Sequence, residues 1–192
     1  MNSNLIPVAV INPEAPATCL EAKCPPINNG TDMHSKEGYF SADYVELEWQ
    51  KLWSRSWLIA GVTADLPRVG DYFLFKIRHE SFIITHTPDG IRGFYNVCPH
   101  RGARLLTEEH GHRKVFVCPF HSWSFSQSGD LRAITDAATF QPDVICHKPG
   151  LKPVRTEVLA GLVFINMDDE APPLSEEIGL HEGYLERYQI DQ

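Results

Sequence analysis

The sequence predicts a mainly β fold, an antiparallel sandwich or small barrel, with a short helix before it and a helical tail after it. Short runs of β-branched and aromatic residues follow one another from about residue 57, and turn residues separate them. No helical pattern alternates with these runs, as a βαβ unit would require. Of the 192 residues, 43% are hydrophobic and 22% are charged, which is typical of an ordinary globular chain.

The first 37 residues are rich in Pro, Asn and Ala and have no apolar period, so we expect an extended arm. The apolar run from Leu5 to Ile11 is interrupted by Pro7 and has no basic residue before it. We therefore expect neither a signal peptide nor a membrane span. Cys19 and Cys24 lie in the arm, and no second half of a metal site fits with them.

A short helix is predicted next. Ser41 is a suitable N-cap, and four apolar residues follow at helical spacing on one face: Val45, Trp49, Leu52 and Trp53. We expect the two tryptophans to pack in the core.

Eight strands then make up the β region. They are predicted at Trp57–Ala60, Tyr72–Ile77, Phe82–His86, Ile91–Val97, Val115–Cys118, Trp123–Phe125, Val154–Leu159 and Leu162–Asn166. Pro172 and Pro173 end this region, and Leu174–Tyr188 is predicted to form a helix. The resulting division is an arm at 1–37, a helix and β domain at 38–170, and a linker at 171–192.

The charges and cysteines limit the partners and the compartment. The net charge is −8, which argues against a nucleic-acid partner. Between Cys98 and Arg132, however, five basic residues outnumber three acidic ones, and this positive segment could steer an acidic partner. The five cysteines are an odd number, so we expect thiols or metal ligands in a reduced cytoplasm.

Two short segments carry the chemistry: Cys98-Pro99-His100-Arg101-Gly102 and Cys118-Pro119-Phe120-His121-Ser122-Trp123. Each supplies one thiolate and one imidazole. A zinc finger usually pairs two cysteines in one half and two histidines in the other, whereas an iron–sulfur cluster with chemically different ends needs two cysteines on one iron and two histidines on the other. The pattern therefore predicts a [2Fe–2S] cluster; a structural zinc site with the same four ligands remains an alternative.

The residues around the predicted ligands fit the same interpretation. Pro99 and Pro119 each follow a cysteine and stiffen both segments at the same place. Gly102 permits a tight turn that brings backbone N–H groups close to the cluster sulfurs.

These segments resemble the N-terminal part of the large subunit of Rieske non-haem iron ring-hydroxylating oxygenases. The resemblance extends from about Gly38 to Leu174 and includes Asn96–Ala103, the second segment and Gly161–Asn166. It implies a Rieske fold with two cluster-binding loops. It also implies that Cys98 and Cys118 hold one iron, while His100 and His121 hold the other near the surface. Ser122 departs from the family, which usually has Gly there.

The resemblance also implies partners. A reductase or ferredoxin would supply electrons, an oxygenase catalytic domain or subunit would receive them, and Arg101 or Arg104 could help to dock a partner. In the family that the chain resembles, the histidine edge of the cluster passes its electron to an iron in a neighbouring subunit. The resemblance therefore implies that His100 and His121 are the exit, and it is compatible with a homo-oligomer. High-potential respiratory Rieske proteins have hydroxyl side chains two and four residues after the second histidine, where this chain has Trp123 and Phe125. A low reduction potential is therefore expected.

No mononuclear iron site is evident from the sequence. The histidines outside the motif form no pair with a following carboxylate: His34, His79, His86, His110, His112 and His181. The adjacent Cys146 and His147 are interpreted as structural, because neighbours in an extended segment point apart. By resemblance, the catalytic domain would begin near Leu174, so we do not expect the chain to hydroxylate a substrate alone. The alternative is a stand-alone ferredoxin-like electron carrier.

Overall fold

The computed structural model describes residue 33, residues 35–141, 150–179 and 183–188, and residue 190. By their contacts, these residues fall into a small unit that ends at Val45 and a large unit that begins at Glu46. The helices near this division are a single turn, α1 (Glu37–Phe40), and α2 (Ala42–Glu48). The Ser41 Oγ accepts a hydrogen bond from the Tyr44 N–H at 3.3 Å, which confirms the predicted cap of α2.

The second half of the predicted helix is a turn of π-helix at Trp49–Trp53, in which the Ser54 N–H donates to the Trp49 carbonyl. The wider turn moves these side chains off the single stripe that an α-helix would give. The expectation that both tryptophans lie in the core is therefore wrong. Trp53 is 41% exposed, and Trp49 is half-buried beneath the Arg78 guanidinium.

The described residues of the large unit contain ten strands, all antiparallel, in two sheets. The strands are β1 (Leu58–Val62), β2 (Asp71–Ile77), β3 (Glu80–Thr87), β4 (Gly90–Tyr95), β5 (His110–His112), β6 (Val115–Val117), β7 (Ser124–Ser126), β8 (Leu131–Ala133), β9 (Pro153–Leu159) and β10 (Leu162–Asn166). The large sheet has the order β1-β10-β9-β4-β3-β2-β5, and the small sheet has the order β6-β7-β8. All eight predicted strands are present. The three-residue strands β5 and β8 were not predicted, because neither contains an apolar run.

The large sheet curls into a half-barrel. Four strands separate β1 from β2 in the sheet order, yet a Cβ atom placed on Gly61 of β1 would lie 2.6 Å from the Phe73 ring of β2. Apolar side chains from both ends of the sheet meet inside the curl. They are Phe73, Phe82, Ile84, Val154, Val163 and Ile165, together with Leu66 from the segment between β1 and β2.

A second core includes side chains from both the large sheet and the small one. Its buried members are Tyr72, Ile83, Phe94, Cys98, Leu105, Leu106, Phe116, Cys118, Trp123, Phe125 and Leu151. Both cysteines of the motif therefore belong to a packed core rather than to an exposed surface.

The C-terminal region is less helical than predicted. A single turn, α3 (Leu174–Glu177), is held against β9, where the Leu174 N–H donates to Glu157 Oε2 at 3.0 Å. Gly179 then takes a φ of +59°, a left-handed conformation that ends helices. A short 3₁₀ turn follows at Glu186–Tyr188. In the part of the chain that the structure describes, no helix is long and apolar enough to cross a membrane.

Candidate metal centre

The two motif segments form loops with the same backbone hydrogen bonds. In the first loop, Cys98–Ala103, the Cys98 N–H donates to the Ala103 carbonyl at 2.8 Å, and the Gly102 N–H donates to the Cys98 carbonyl at 3.0 Å. In the second loop, Cys118–Trp123, the corresponding bonds are Cys118 N–H to the Trp123 carbonyl at 2.8 Å and Ser122 N–H to the Cys118 carbonyl at 3.0 Å. Each loop thus closes on itself around its cysteine.

The fifth residue of each loop is in the left-handed region. Gly102 has a φ of +70° and Ser122 has a φ of +58°. Glycine adopts this conformation without steric cost, whereas the Cβ of serine crowds the backbone there. The departure from the family pattern noted in the sequence therefore falls at a position where the backbone favours glycine.

The cysteine end of the site is buried from solvent. Cys98 and Cys118 are 1% and 2% exposed, and both are free thiols. Burial raises the pKa of the Cys98 thiol, and the backbone N–H groups of His100 and Arg101 act in the opposite direction. A buried thiol that receives backbone N–H groups is suited to bind a metal as a thiolate.

The histidine end combines buried nitrogens with an open side. The rings of His100 and His121 lie 4.7 Å apart between centroids, and the Nδ1 atom of each is buried without a hydrogen-bond partner. Unpartnered buried nitrogens are rare in folded proteins and require an explanation. Both rings also line a surface cleft of about 260 Å³, so this end of the site is accessible from solvent.

Aromatic side chains fix the orientation of the first imidazole. The His100 ring stacks on the Trp123 indole at 4.6 Å with an angle of 2° between the planes, and Phe140 meets both rings edge-on. Trp123 is 2% exposed, and its Nε1–H is the third buried polar atom without a partner. Desolvation lowers the pKa of His100, which favours the neutral imidazole that a metal requires.

The donor set fits a cluster with two different ends. Two thiols belong to one buried core, two imidazoles lie side by side, and both imidazoles have an unused buried nitrogen. Among the described residues, no three His, Cys, Asp or Glu side chains converge as the ligands of a single ion would. A cluster with two irons needs two pairs of ligands rather than one group of four.

Two of the described histidines outside the motif make hydrogen bonds within the fold. His86 Nδ1 is bonded to the Leu66 carbonyl at 2.8 Å, and His112 Nδ1 is bonded to Asp71 Oδ1 at 2.9 Å. The predictions for Cys19, Cys24, His34, Cys146, His147 and His181 concern residues outside the described ranges.

Sequence reasoning assigned no role to Asn96 or to the Asp71–His112 pair. Asn96 stands in the motif that carries the resemblance, but the four hydrogen bonds of its side chain join it to residues up to fifteen positions away. Asp71 and His112 are 41 positions apart. No spacing rule links them.

Comparison with known proteins identifies the type of domain. The model of the Rieske [2Fe-2S] domain family matches residues 56–150, which include both loops. This chain contains a Rieske [2Fe-2S] domain. The cofactor of the Rieske domain is therefore a [2Fe–2S] cluster that transfers single electrons.

Curated relatives of the Rieske domain are oxygenase subunits. The carnitine monooxygenase oxygenase subunit of Escherichia coli K12 is 36% identical over 144 residues, which cover 73% of this chain and 37% of the relative. The glycine betaine monooxygenase oxygenase subunit of Pseudomonas aeruginosa is 29% identical over 154 residues, which cover 80% of this chain and 35% of the relative. The chain thus spans about a third of the length of these relatives.

Solved structures agree with the fold of the Rieske domain. A crystal structure of a quaternary ammonium Rieske monooxygenase superimposes with a TM-score of 0.71 at 32% identity, covering 80% of this chain and 42% of the other. A naphthalene 1,2-dioxygenase structure gives a TM-score of 0.62 at 34% identity, covering 71% and 31% respectively. The resemblance to oxygenase large subunits seen in the motif is confirmed.

Proposed function

We propose that this chain is the electron-transfer part of a Rieske oxygenase, in which Cys98 and Cys118 bind one iron and His100 and His121 bind the other. The observation that carries the proposal is the separation of the two ends. Two thiols are buried in the core, and two neighbouring imidazoles have buried Nδ1 atoms without partners. Thiolates and neutral imidazoles in these two pairs are the ligands of a Rieske cluster.

The surrounding residues determine how electrons reach the site. When bound, the cluster accepts and releases one electron. The core around the cysteines excludes water, whereas His100 and His121 border the open cleft. The imidazole edges are therefore the short route between the site and a partner. The Trp123 ring holds His100 in one orientation and so preserves that route.

The oxygenase role rests on the relatives, which are oxygenase subunits. In this proposal, residues 1–37 are an arm, residues 38–170 are the Rieske domain with its preceding helix, and residues 171–192 lead toward a catalytic iron domain. The electron donor would be a reductase or ferredoxin, and the acceptor an oxygenase catalytic domain or subunit. We propose neither a nucleic-acid partner nor a membrane partner for this chain. The odd number of cysteines, five, argues against a disulfide framework and favours a reducing cytoplasmic location.

Metal and sulfide analysis of the purified chain tests the ligand assignment. We expect two iron and two sulfide per chain and a Rieske-type electron paramagnetic resonance spectrum after reduction. Alanine at Cys98, His100, Cys118 or His121 should abolish assembly, because each removes a ligand that no neighbour can replace. Cys19→Ala and Cys24→Ala are the matched controls and should leave the iron content unchanged. One zinc per chain without sulfide would refute the assignment.

A further inference from the structure

The two cluster loops have the same backbone bonds but different support. The second loop joins β6 to β7, and the Val117–Ser124 pair of that ladder lies directly beneath it. The first loop has no such ladder. β4 ends at Tyr95, before the loop, and Leu105 and Leu106, which follow the loop, lie in no strand. A different contact must therefore hold the two arms of the first loop together.

The side chain of Asn96 spans the base of the first loop. Its Oδ1 accepts hydrogen bonds from the Leu105 N–H at 3.1 Å and the Leu106 N–H at 2.9 Å. Its Nδ2 donates to the Leu106 carbonyl at 2.7 Å and to Ser81 Oγ at 3.2 Å. The amide thus uses both of its acceptor sites and both of its donor hydrogens while it is 4% exposed. Three of these bonds go to backbone groups that a β ladder would otherwise satisfy.

We propose that Asn96 is the positioning residue of the first cluster loop, where it substitutes for the β ladder that supports the second. The proposal rests on the proposed function, because it concerns how Cys98 and His100 are presented to the cluster. Asn96 precedes Cys98 by two residues, and Leu105 follows Ala103, the residue that closes the loop, by two. The Asn96 amide therefore fixes the separation of the loop's arms just outside the Cys98–Ala103 closure.

The core transmits this positioning to the ligands. Leu105 and Leu106, which Asn96 holds, pack in the same buried core as Cys98 and Cys118. A shift of the Leu105 segment would therefore alter the packing of the thiols as well as the loop. The backbone N–H of Asn96 also donates to the Ser81 carbonyl at 2.8 Å, which anchors this corner to β3.

Asn166 provides a matched control. It is also a buried asparagine at the end of a strand, with 0% exposure. Its Nδ2 donates to the Arg55 carbonyl at 3.2 Å, and its Oδ1 accepts from the Asp168 N–H at 2.9 Å. Neither contact involves a cluster loop. Loss of its amide should lower the stability of the fold without altering the cluster.

The experiment compares Asn96→Ala and Asn96→Asp with Asn166→Ala in the chain loaded with its cluster. Cluster loss is followed by visible absorbance, the cluster environment by electron paramagnetic resonance, and loop closure by hydrogen exchange of the Leu105, Leu106 and Cys118 amides. We expect the Asn96 variants to lose the cluster at least roughly tenfold faster, as removal of several buried hydrogen bonds would produce. Their g values should shift, and exchange should accelerate at Leu105 and Leu106 but not at Cys118. Asn96→Ser is the second variant if the alanine variant does not fold.

Two results would overturn the proposal, and they are distinguishable. If the Asn96 variants keep the g values and cluster lifetime of Asn166→Ala, Asn96 contributes only general stability. If the unaltered chain contains no iron and sulfide, the proposed function itself fails, and this inference fails with it.

Discussion

Ser122 has a left-handed backbone conformation, and the residue at the same position of the first loop is a glycine, Gly102. Its φ of +58° costs a residue with a Cβ about 1 kcal/mol. We therefore expect Ser122→Gly to raise the free energy of unfolding by about 1 kcal/mol, and Gly102→Ser to lower it by a similar amount. Denaturant unfolding measures both. A loss of stability in Ser122→Gly would mean that the hydroxyl makes a compensating contact.

The buried carboxylate of Asp71 makes the stability of the fold depend on pH. The hydrogen bond from His112 is the main cause that lowers the pKa of Asp71, and Arg68 adds to the effect. A carboxyl with a lowered folded-state pKa stabilises the fold above about pH 4, and this stabilisation is lost as pH falls further through the folded-state pKa. Asp71→Asn should therefore melt at a lower temperature at pH 7 but lose less stability than the unaltered chain between about pH 4 and 2.

The control for this prediction is His112→Ala, which keeps the carboxyl but removes its main partner. Like Asp71→Asn, His112→Ala should lose less stability than the unaltered chain as the pH falls below about 4. An Asp71→Asn profile parallel to that of the unaltered chain would show that the pair does not contribute to acid sensitivity.

At the scale of the elements, the curl of the large sheet depends on Gly61. A Cβ at this position in β1 would meet the buried Phe73 ring at 2.6 Å, so the ring or the strand must move. Overpacking of this kind costs about 1–3 kcal/mol, and we expect Gly61→Ala to lower the free energy of unfolding by that amount. Phe73→Leu makes room for the methyl group. The double variant should therefore lose less than the sum of the single losses in a double-mutant cycle. Additive losses would contradict the contact.

Elements were predictable where a local pattern defines them. The eight predicted strands have apolar runs bounded by turn residues, and Ser41 marks the start of α2 by its capping hydroxyl. β5 was not predictable because its sequence, His110-Gly111-His112, contains no apolar residue, and only pairing with β2 makes it a strand. The π-helical turn at Trp49–Trp53 likewise has no local signature that separates it from an α-helix.

At the scale of the whole molecule, the reduction potential of the cluster determines which redox partners can exchange electrons with it. The positions two and four residues after His121 hold Trp123 and Phe125, which offer the cluster sulfurs no hydroxyl. Since hydrogen bonds to the sulfurs favour the reduced state, we expect a midpoint in the lower part of the Rieske range, below about +150 mV. Voltammetry of the loaded chain measures it.

The pair Phe116 and Phe125 offers a controlled test of this explanation. The two residues are paired across β6 and β7, and both are fully buried. Phe125→Tyr should raise the midpoint by adding a hydroxyl four residues after His121, whereas Phe116→Tyr should change the midpoint less. Equal shifts would attribute the effect to core polarity in general.

The candidate ligands were predictable because each pair of residues lies within one short loop. The spacing in the sequence was enough to identify the pairs Cys98 with His100 and Cys118 with His121 as candidate ligands. The supports of the site were not predictable, since they join distant residues. The Asn96 side chain reaches Leu106, and Trp123 of the second loop stacks on His100 of the first. Such contacts exist only after the sheets have formed.

The shared backbone of the two loops makes the site modular. The first five residues of each loop follow one pattern, with the cysteine first and the left-handed residue fifth, and the two loops differ in where the imidazole is inserted. It stands third in the first loop, at His100, and fourth in the second, at His121. The two loops thus share their closing hydrogen bonds and their left-handed residue. Transfer of either loop to another protein would therefore have to carry over both the position of its imidazole and the support beneath it, which is a β ladder for the second loop and the Asn96 side chain for the first.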